Sequence, residues 1–461
     1  MTDQTSLLTS HPKRRWLRRL LFVFLVLAGV YVAYRYTLHC MVEAKLNEIR
    51  KQGYPVTLAE LDKWYPQVPK ERNAAEVYLE AFRHFARKQS GDTNLPVIGD
   101  VKLPPPRYPF STEMKNAISE YLVANQEALN FMHRAAEMES ARYPINFEKA
   151  LSSTPLHLLQ LKHGCRLLEL EAIASAVSNE PNLVVKSIVS MMGLAHSLEN
   201  EPVIQSHLKR IACWGIAVQS LRQAFHWSTF SDAQLTRLSA AFGAAEQPQS
   251  VARSLIGERS FGIRVFNMSA RQQFEQWNAW ENWDTASEPM RVEKGWYVVL
   301  LGYKLSGLAT IEELYYLNAM SRYIELTRLP LHDRVKASRK LKDEVEARRD
   351  KKSLSEPFVF SSAMIPSLDV AILWDAREIA YLREASIALA IERFRFLGRG
   401  LPNRLDELAP AFLAEVPADP FDGQPVRYRQ LTRGYVLYSV GEDGKDNSGD
   451  EKKDITFTVE R

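Results

Sequence analysis

An uncharged apolar run near the amino end constrains the fold of this chain more than any other feature. The run extends from Leu20 to Tyr34, with Trp16 before it and Tyr36 just after it. Flanking basic and aromatic side chains can extend such a run to the ~20 residues that cross a membrane, so we predict a transmembrane helix over residues 16–38. A cleaved signal peptide is the alternative. No small-residue cleavage pattern follows the run, which favours an uncleaved anchor.

The charges before this run predict its orientation. Five basic residues precede it: Lys13, Arg14, Arg15, Arg18 and Arg19. Because basic flanks stay in the cytoplasm, we expect residues 1–15 to form a cytoplasmic tail and the chain beyond about residue 40 to lie outside the cytoplasm. Membrane lipid is then a partner of residues 16–38. The formal net charge of the whole chain is +4, which does not indicate a nucleic-acid partner.

The length and composition indicate a globular body behind this anchor. A chain of 461 residues exceeds one ordinary domain and predicts two or three units. Three cysteines are too few for a disulfide framework or a cysteine-based zinc site. Cys165 and Cys213 can pair if the body lies in an oxidising compartment, which leaves Cys40 near the membrane. The alternative is that both are small apolar core residues.

The middle of the chain has the periodicity of helices. Apolar residues recur every three or four positions from about residue 58 to residue 397, and long alternating runs are absent. The tripeptides Asn179-Glu180-Pro181 and Asn200-Glu201-Pro202 break this pattern one helix length apart. Their spacing predicts antiparallel helix pairs, in either a solenoid-like array or an ordinary bundle.

A proline-rich stretch divides this helical region. Prolines at positions 96, 104, 105, 106 and 109 exclude a helix over residues 95–109. We therefore separate membrane-proximal helices and a linker, residues 39–110, from a helical body, residues 111–363. A carboxyl-terminal module, residues 364–461, follows.

The body carries few signs of catalytic chemistry. It has no H-E-x-x-H, G-x-S-x-G, P-loop or dinucleotide-binding glycine pattern. Glu258 and Arg259 lie in a helix-like stretch with Arg253, Arg264 and the small residues Gly257 and Gly262. The small residues allow close helix packing, and the opposite charges can form an internal ion pair, for which a structural role is favoured over a functional site. Five aromatic residues form a dense cluster: Trp277, Trp280, Trp283, Trp296 and Tyr297. They can stack on a sugar or peptide, rest at the membrane surface, or pack in a core, and core packing is favoured.

The carboxyl-terminal module changes from helix to strand. We predict a long helix over Ala376–Leu397, a short helix over Asp406–Leu413, and strands over Val426–Gln430 and Tyr435–Val440. The order resembles the carboxyl-terminal domain of the major pseudopilins of type II secretion. That family has a long helix, a Gly-x-x-Pro turn, an Asp-Pro-Trp-Gly-type turn, a small antiparallel sheet and an Asp-Gly-rich calcium loop. The matching positions are Gly398–Pro402, Asp419–Gly423, Tyr435–Gly444 and Asp454-Ile455.

The resemblance implies that the terminal loop binds Ca²⁺ through Asp443 and Asp454. The chemistry of the loop adds Asp446 and Asp450, because four carboxylates with backbone carbonyls and water can supply the about six to eight oxygens that Ca²⁺ prefers. The alternative is an acidic surface turn that Lys445, Lys452 and Lys453 partly neutralise.

Two departures from the pseudopilin pattern limit what the resemblance implies. Neither a short leader that ends in glycine nor a glutamate early in the following helix is visible, so we do not expect a pilus-like fibre. The segments Gly53–Thr57 and Asn73–Ala75 also make the whole chain similar to a set of membrane-anchored bacterial proteins, a resemblance that carries no activity. We expect the anchor to lie in a bacterial inner (cytoplasmic) membrane and the body in the periplasm or another extracytoplasmic space.

The sequence therefore predicts a mainly α protein with a transmembrane helix, a helical-hairpin body and a small α+β module with an antiparallel sheet. We expect an extracytoplasmic binding or assembly protein with a protein partner, linked to secretion or envelope organisation, and no catalytic residues are assigned. The alternative is a hydrolase of the same compartment whose acids and histidines converge only in three dimensions. Such an enzyme needs a pocket that gathers two or more polar groups.

Overall fold

The computed structural model describes residues 12–86, 95–104, 108–151, 153–246, 250–281, 295–351 and 359–460. Prolines 105 and 106 and Trp283 lie outside the described residues.

The first helices are α1 (Pro12–Lys51), α2 (Leu58–Trp64), α3 (Ala74–Arg83), α4 (Thr112–Ala124), α5 (Gln126–Ala135), α6 (Phe147–Ala150), α7 (Leu156–Val177), α8 (Pro181–His196) and α9 (Ile204–Trp227). The remaining helices are α10 (Asp232–Gly243), α11 (Ser250–Asn267), α12 (Ala270–Glu281), α13 (Gly295–Leu305), α14 (Leu308–Leu326), α15 (Leu331–Asp350), α16 (Ser361–Met364) and α17 (Pro366–Phe396). The strands are β1 (Arg427–Leu431), β2 (Gly434–Ser439) and β3 (Ile455–Glu460). The predicted class, mainly α with a small antiparallel sheet, is confirmed.

Helix α1 has two halves of different character. It is 40 residues long, which corresponds to roughly 60 Å at the usual helical rise. The apolar side chains of its first half are exposed, and its most apolar window has a mean hydropathy of 1.9 with nothing buried. In the described part of the chain it is the one helix long and apolar enough to cross a membrane, as an anchor or as a signal sequence.

The second half of α1 packs into the protein. Leu38, Val42, Leu46 and Ile49 are buried at the spacing of one helical face. This stripe lies against α14, where Leu317 contributes to the same apolar cluster. The helix thus continues from its exposed apolar half into the body without a linker.

The central helices form a bundle. Helix α7 ends at Val177 and α8 begins with Pro181 as its first residue, so the first predicted break is confirmed. The second break separates α8 from α9. Each of the three helices packs on both of the others, which is the arrangement of a bundle rather than of an extended array.

Two large apolar cores organise the molecule. The first joins α3–α5 and α7–α10 with the second half of α17 and the sheet. The second joins α2, α6 and α11–α15 with the start of α17. Helix α17, which is 31 residues long, therefore runs through both. It begins at Pro366 rather than at the predicted Ala376, because Leu368 and Ile372 pack into the second core.

The sheet has three antiparallel strands in the order β1-β2-β3. All six residues of the central strand β2 are buried, and Leu437 lies opposite Phe457 on β3. We predicted the bounds of two strands, and the structure has β3 as a third. The predicted helix over Asp406–Leu413 is reduced to a 3-10 turn over Leu405–Leu408, since Pro410 has no N–H group to continue it.

The cysteines are free thiols. Cys165 and Cys213 are buried in the first core and Cys40 is exposed. The Cys165 thiol donates to the carbonyl oxygen of Cys213 at 3.9 Å. Cys165 and Cys213 are therefore small apolar residues of the core, and they do not form the disulfide that we considered.

Candidate binding cleft

A cleft of about 820 Å³ opens beside the second core, which contributes Trp64, Ile256 and Ile324 to its lining. Its walls come from the α2 segment, α11, the connection between α14 and α15, α17, and the turn that contains Asp419. These segments are far apart in the sequence and carry no shared motif. The volume is that of a site for a drug-sized molecule or a short peptide segment.

One wall pairs arginines with aromatic rings. The Arg253 guanidinium lies over the Trp64 ring, 4.7 Å from its centroid. Arg328 donates to the Tyr54 hydroxyl at 3.3 Å. Among the described residues no carboxylate oxygen lies within 4.0 Å of either guanidinium. Burial lowers the pKa of Arg253, and the more distant Glu199 raises it. This wall therefore presents two positive charges without a carboxylate in contact.

The carboxylates of the opposite wall are already bonded within the protein. Arg383 donates to both oxygens of Glu246. Asp419 accepts from Arg427 and Ser439 and from two backbone N–H groups. Because both acids are satisfied, the charge that the cleft offers to a ligand is positive.

Arg334, which lines the cleft, belongs to a buried charge network. The Nε2 atom of His207 lies 3.2 Å from Asp375, and Arg334 lies 3.5 Å from the other oxygen of that carboxylate. Arg334 also donates to the Thr327 carbonyl at 2.8 Å. Burial lowers the pKa of Arg334, while Asp375 raises it. The network connects α9, α15 and α17. A buried ion pair of this kind fixes the relative positions of these helices more than it adds to the free energy of unfolding.

The four aspartates of the terminal loop each cap a turn of that loop. Asp443 accepts from Lys445 N, Asp446 from Ser448 N, Asp450 from Lys452 N and Asp454 from Gly449 N. The side-chain amide of Asn447 donates to Asp443 at 3.4 Å and to Asp454 at 3.2 Å, which brings these two together. Asp446 faces Arg427 instead. No three His, Cys, Asp or Glu residues of the described ranges form a group that could hold a metal ion. Calcium binding by the loop stays a prediction.

The ion pair considered for Glu258 and Arg259 does not form. Glu258 accepts from the backbone N–H of Ile204 at 3.1 Å, whereas Arg259 lies over the Tyr54 ring, 5.4 Å from its centroid. Adjacent side chains of a helix do not face each other, and here the two are directed to different partners.

Replacing Glu258 by glutamine is expected to remove a pH dependence of stability. Burial raises the pKa of Glu258 from 4.5 to about 7, although the Ile204 hydrogen bond lowers it. The folded state therefore keeps a proton that the unfolded chain loses, and stability falls as the pH rises through this window. Glutamine preserves the acceptor for Ile204 without the titration. At pH 8 we expect Glu258→Gln to be more stable than the parent by roughly 1–3 kcal/mol, and near pH 4.5 the two should agree.

Thermal melting of the full chain in detergent at both pH values measures this effect. The matched control is Glu275→Gln, an exposed glutamate on α12, for which the difference from the parent should be the same at both values. A Glu258→Gln variant that is no more stable than the parent at pH 8 contradicts the assignment.

The structure also brings together a serine, a histidine and a glutamate, the groups that the hydrolase alternative requires. Ser190 Oγ lies 2.8 Å from His133 Nδ1, and His133 Nε2 lies 2.9 Å from Glu171. No sequence signal marks the group, because its members come from three helices. All three side chains are buried, and Ser190 is only 2% exposed. A nucleophile must reach its substrate, so these residues form an internal polar network between α5, α7 and α8.

The aromatic cluster is divided between the core and the surface. Trp277 packs against Phe360 in the second core, with ring centroids 5.8 Å apart. Trp296 and Tyr297 lie on α13 and are exposed. Trp280 belongs to α12.

Comparison with protein-family models, curated proteins and solved structures finds no match. The resemblance of residues 376–461 to pseudopilins therefore stays a prediction, and so does the link to secretion.

Proposed function

We propose that the protein is a single-pass, membrane-anchored binding protein whose cleft holds an acidic, partly apolar peptide segment of a partner protein. One observation carries this proposal: Arg253 and Arg328 have aromatic neighbours but no carboxylate in contact among the described residues. Arginine is the side chain best suited to hold a carboxylate through two parallel hydrogen bonds. The carboxylates of the cleft are bonded elsewhere, so a ligand has to supply the missing negative charge.

The rest of the lining favours a peptide over a sugar. Ile256, Ile324 and Ile379 contribute aliphatic surface to the cleft, and the described lining contains no asparagine or glutamine. Sugar hydroxyls donate as well as accept hydrogen bonds, and the two carboxylates of this lining, Glu246 and Asp419, already accept from groups of the protein. A peptide that alternates acidic and apolar side chains matches both the arginines and the aliphatic surface.

The amino-terminal helix supports the membrane location. Its first half exposes apolar side chains, and five basic residues precede the apolar run. This distribution favours a cytoplasmic amino end and a cleft on the outer side of the inner membrane. A partner in envelope organisation or secretion fits that side, and the pseudopilin-like module with its predicted calcium loop is part of the same proposal.

The proposal is tested by selecting peptides on the full chain in lipid nanodiscs. A random peptide library displayed on phage should yield sequences enriched in Asp or Glu beside apolar residues. The selected peptides should bind the double variant Arg253→Gln/Arg328→Gln at least about 100-fold more weakly, since each arginine that is lost removes a charged hydrogen bond that contributes about 1.5–3 kcal/mol. Isothermal titration calorimetry measures both affinities.

The matched control is Arg404→Gln. This arginine is exposed and pairs with Asp406 outside the cleft, so its loss should leave peptide affinity unchanged. Selection without enrichment of acidic residues, or equal affinity of the parent and the double variant, overturns the proposal.

A further inference from the structure

Helix α13 exposes an unusually apolar surface. Of its eleven residues, GWYVVLLGYKL, the charged one is Lys304. Six large apolar side chains of the helix are exposed: Trp296, Tyr297, Val298, Val299, Leu301 and Leu305. Contiguous apolar surface of this kind marks a site of contact with a membrane or another protein.

The carboxyl end of α13 is attached to α1. The Tyr31 hydroxyl donates to the Leu305 carbonyl, and Arg35 donates to the Lys304 carbonyl at 2.9 Å. Arg35 is the first charged residue after the apolar run of α1. The end of α13 therefore lies at the level where α1 leaves its apolar stretch.

The opposite face of α13 is held by the body. Leu300 and Tyr303 are buried in the second core, and the Tyr303 hydroxyl donates to Glu312. Lys304 donates to the Phe266 carbonyl at 3.0 Å. The helix is thus fixed to the protein on one side and uncovered on the other.

We infer that α13 is embedded in the membrane beside α1, with its exposed face covered by lipid. The inference rests on the proposal that α1 spans the membrane. The contacts between α13 and α1 favour lipid, rather than another protein, as the partner of this face, because the apolar face of α13 continues the apolar surface of α1. Arg35 and Lys304 lie at the end of that surface, and Trp296 and Tyr297 are the amphipathic residues typical of a membrane interface.

A second membrane contact restricts how the body sits on the bilayer. An isolated transmembrane helix allows the attached domain to tilt and rotate. Two contacts that are both fixed to α14, through the second half of α1 and through α13, hold the body in one orientation. The cleft then keeps a constant position relative to the membrane surface.

Site-directed fluorescence in lipid vesicles tests this inference on the full chain. The background variant is Cys40→Ser, because Cys165 and Cys213 are buried. An environment-sensitive dye is attached to Val298→Cys on α13. It is compared with the same dye at Val26→Cys on α1 and at Val123→Cys, which is exposed on α4. The vesicles contain phosphatidylcholine and phosphatidylglycerol, with or without brominated acyl chains.

We expect the dye at position 298 to show a blue-shifted emission and to be quenched by brominated lipid as strongly as the dye at position 26. The dye at position 123 should show neither effect. Quenching at 26 without quenching at 298 overturns the embedding of α13 and leaves the anchor intact. A blue shift at 298 without quenching means that protein, such as a second copy of this chain, covers the face, and this also overturns it. Absence of quenching at both 26 and 298 overturns the anchor and the inference together.

Discussion

The Asp419→Ala variant is expected to destabilise the carboxyl-terminal module by about 3–5 kcal/mol, the range observed when one partner of a buried ion pair is removed. The side chain of Asp419 is fully buried. Its two oxygens accept four hydrogen bonds, from Phe421 N at 2.9 Å, Ser439 Oγ at 2.7 Å, Val440 N at 2.9 Å and Arg427 Nη1 at 2.7 Å. Alanine removes this acceptor from the donors of Phe421, Ser439 and Val440 in a site that water cannot easily reach.

The loss of stability should be largest where Asp419 connects its turn to the sheet. Arg427 keeps a second partner, Asp422, so the strongest effect is expected at the backbone around Val440. Hydrogen exchange of the amides in β2 and chemical unfolding of the full chain in detergent measure the local and the total effect.

The exposed loop aspartate Asp443 provides the matched control. It accepts from Lys445 N at the surface of the protein, and Asp443→Ala should cost no more than about 1 kcal/mol. Equal unfolding midpoints for Asp419→Ala and Asp443→Ala contradict the central role of Asp419.

The Gly257→Ala variant is expected to destabilise the contact between α11 and the α8–α9 connection. A Cβ atom at Gly257 lies 1.8 Å from the carbonyl oxygen of Pro202. This obstacle is backbone and not the end of a flexible side chain, so the helix and the connection must move apart. Overpacking of this kind costs about 1–3 kcal/mol and sometimes more, and we expect a value near the upper end.

The same substitution at Gly243 provides a control for which we expect a stability change of the opposite sign. Gly243 is the last residue of α10, and a Cβ atom there meets nothing within 4 Å. Alanine has the higher helix propensity, so Gly243→Ala should gain up to about 1 kcal/mol. The two variants should shift the melting temperature in opposite directions, and shifts of the same sign contradict this account.

Much of the local structure could be predicted from short segments. The break at Pro181 is confirmed because proline has no N–H group for a helix to use. The close packing expected at Gly257 is confirmed by the contact with Pro202. Strands β1 and β2 begin and end within one residue of the predicted bounds, since Gly434 separates a run of alternating polar and apolar residues from an apolar run.

Longer-range features could not be predicted from such patterns. The start of α17 depends on Leu368 and Ile372, which pack against helices that are distant in the sequence. The division of the body into two cores that share α17 has no counterpart in composition or periodicity. The internal ion pair considered for Glu258 and Arg259 does not form, because the partners of the two side chains, Ile204 and Tyr54, lie in segments that are distant in the sequence.

The candidate cleft depends entirely on the tertiary structure. Tyr54, Trp64, Arg253 and Arg328 come from three separate segments, and none of them belongs to a recognisable motif. What distinguishes Arg253 and Arg328 is the absence of a carboxylate in contact among the described residues. The internal Ser190–His133–Glu171 group is equally invisible in the sequence.

The sequence by itself determined the apolar amino-terminal helix, the helical periodicity of the body and the small antiparallel sheet. These features follow from local rules, because backbone hydrogen bonding and the spacing of apolar residues act over a few positions of the chain. The tertiary structure alone decided which charges are paired, which acids are buried, and which apolar face of α13 stays uncovered. Coulomb and desolvation energies depend on the distances between residues that are remote in the sequence, and only the folded chain sets those distances.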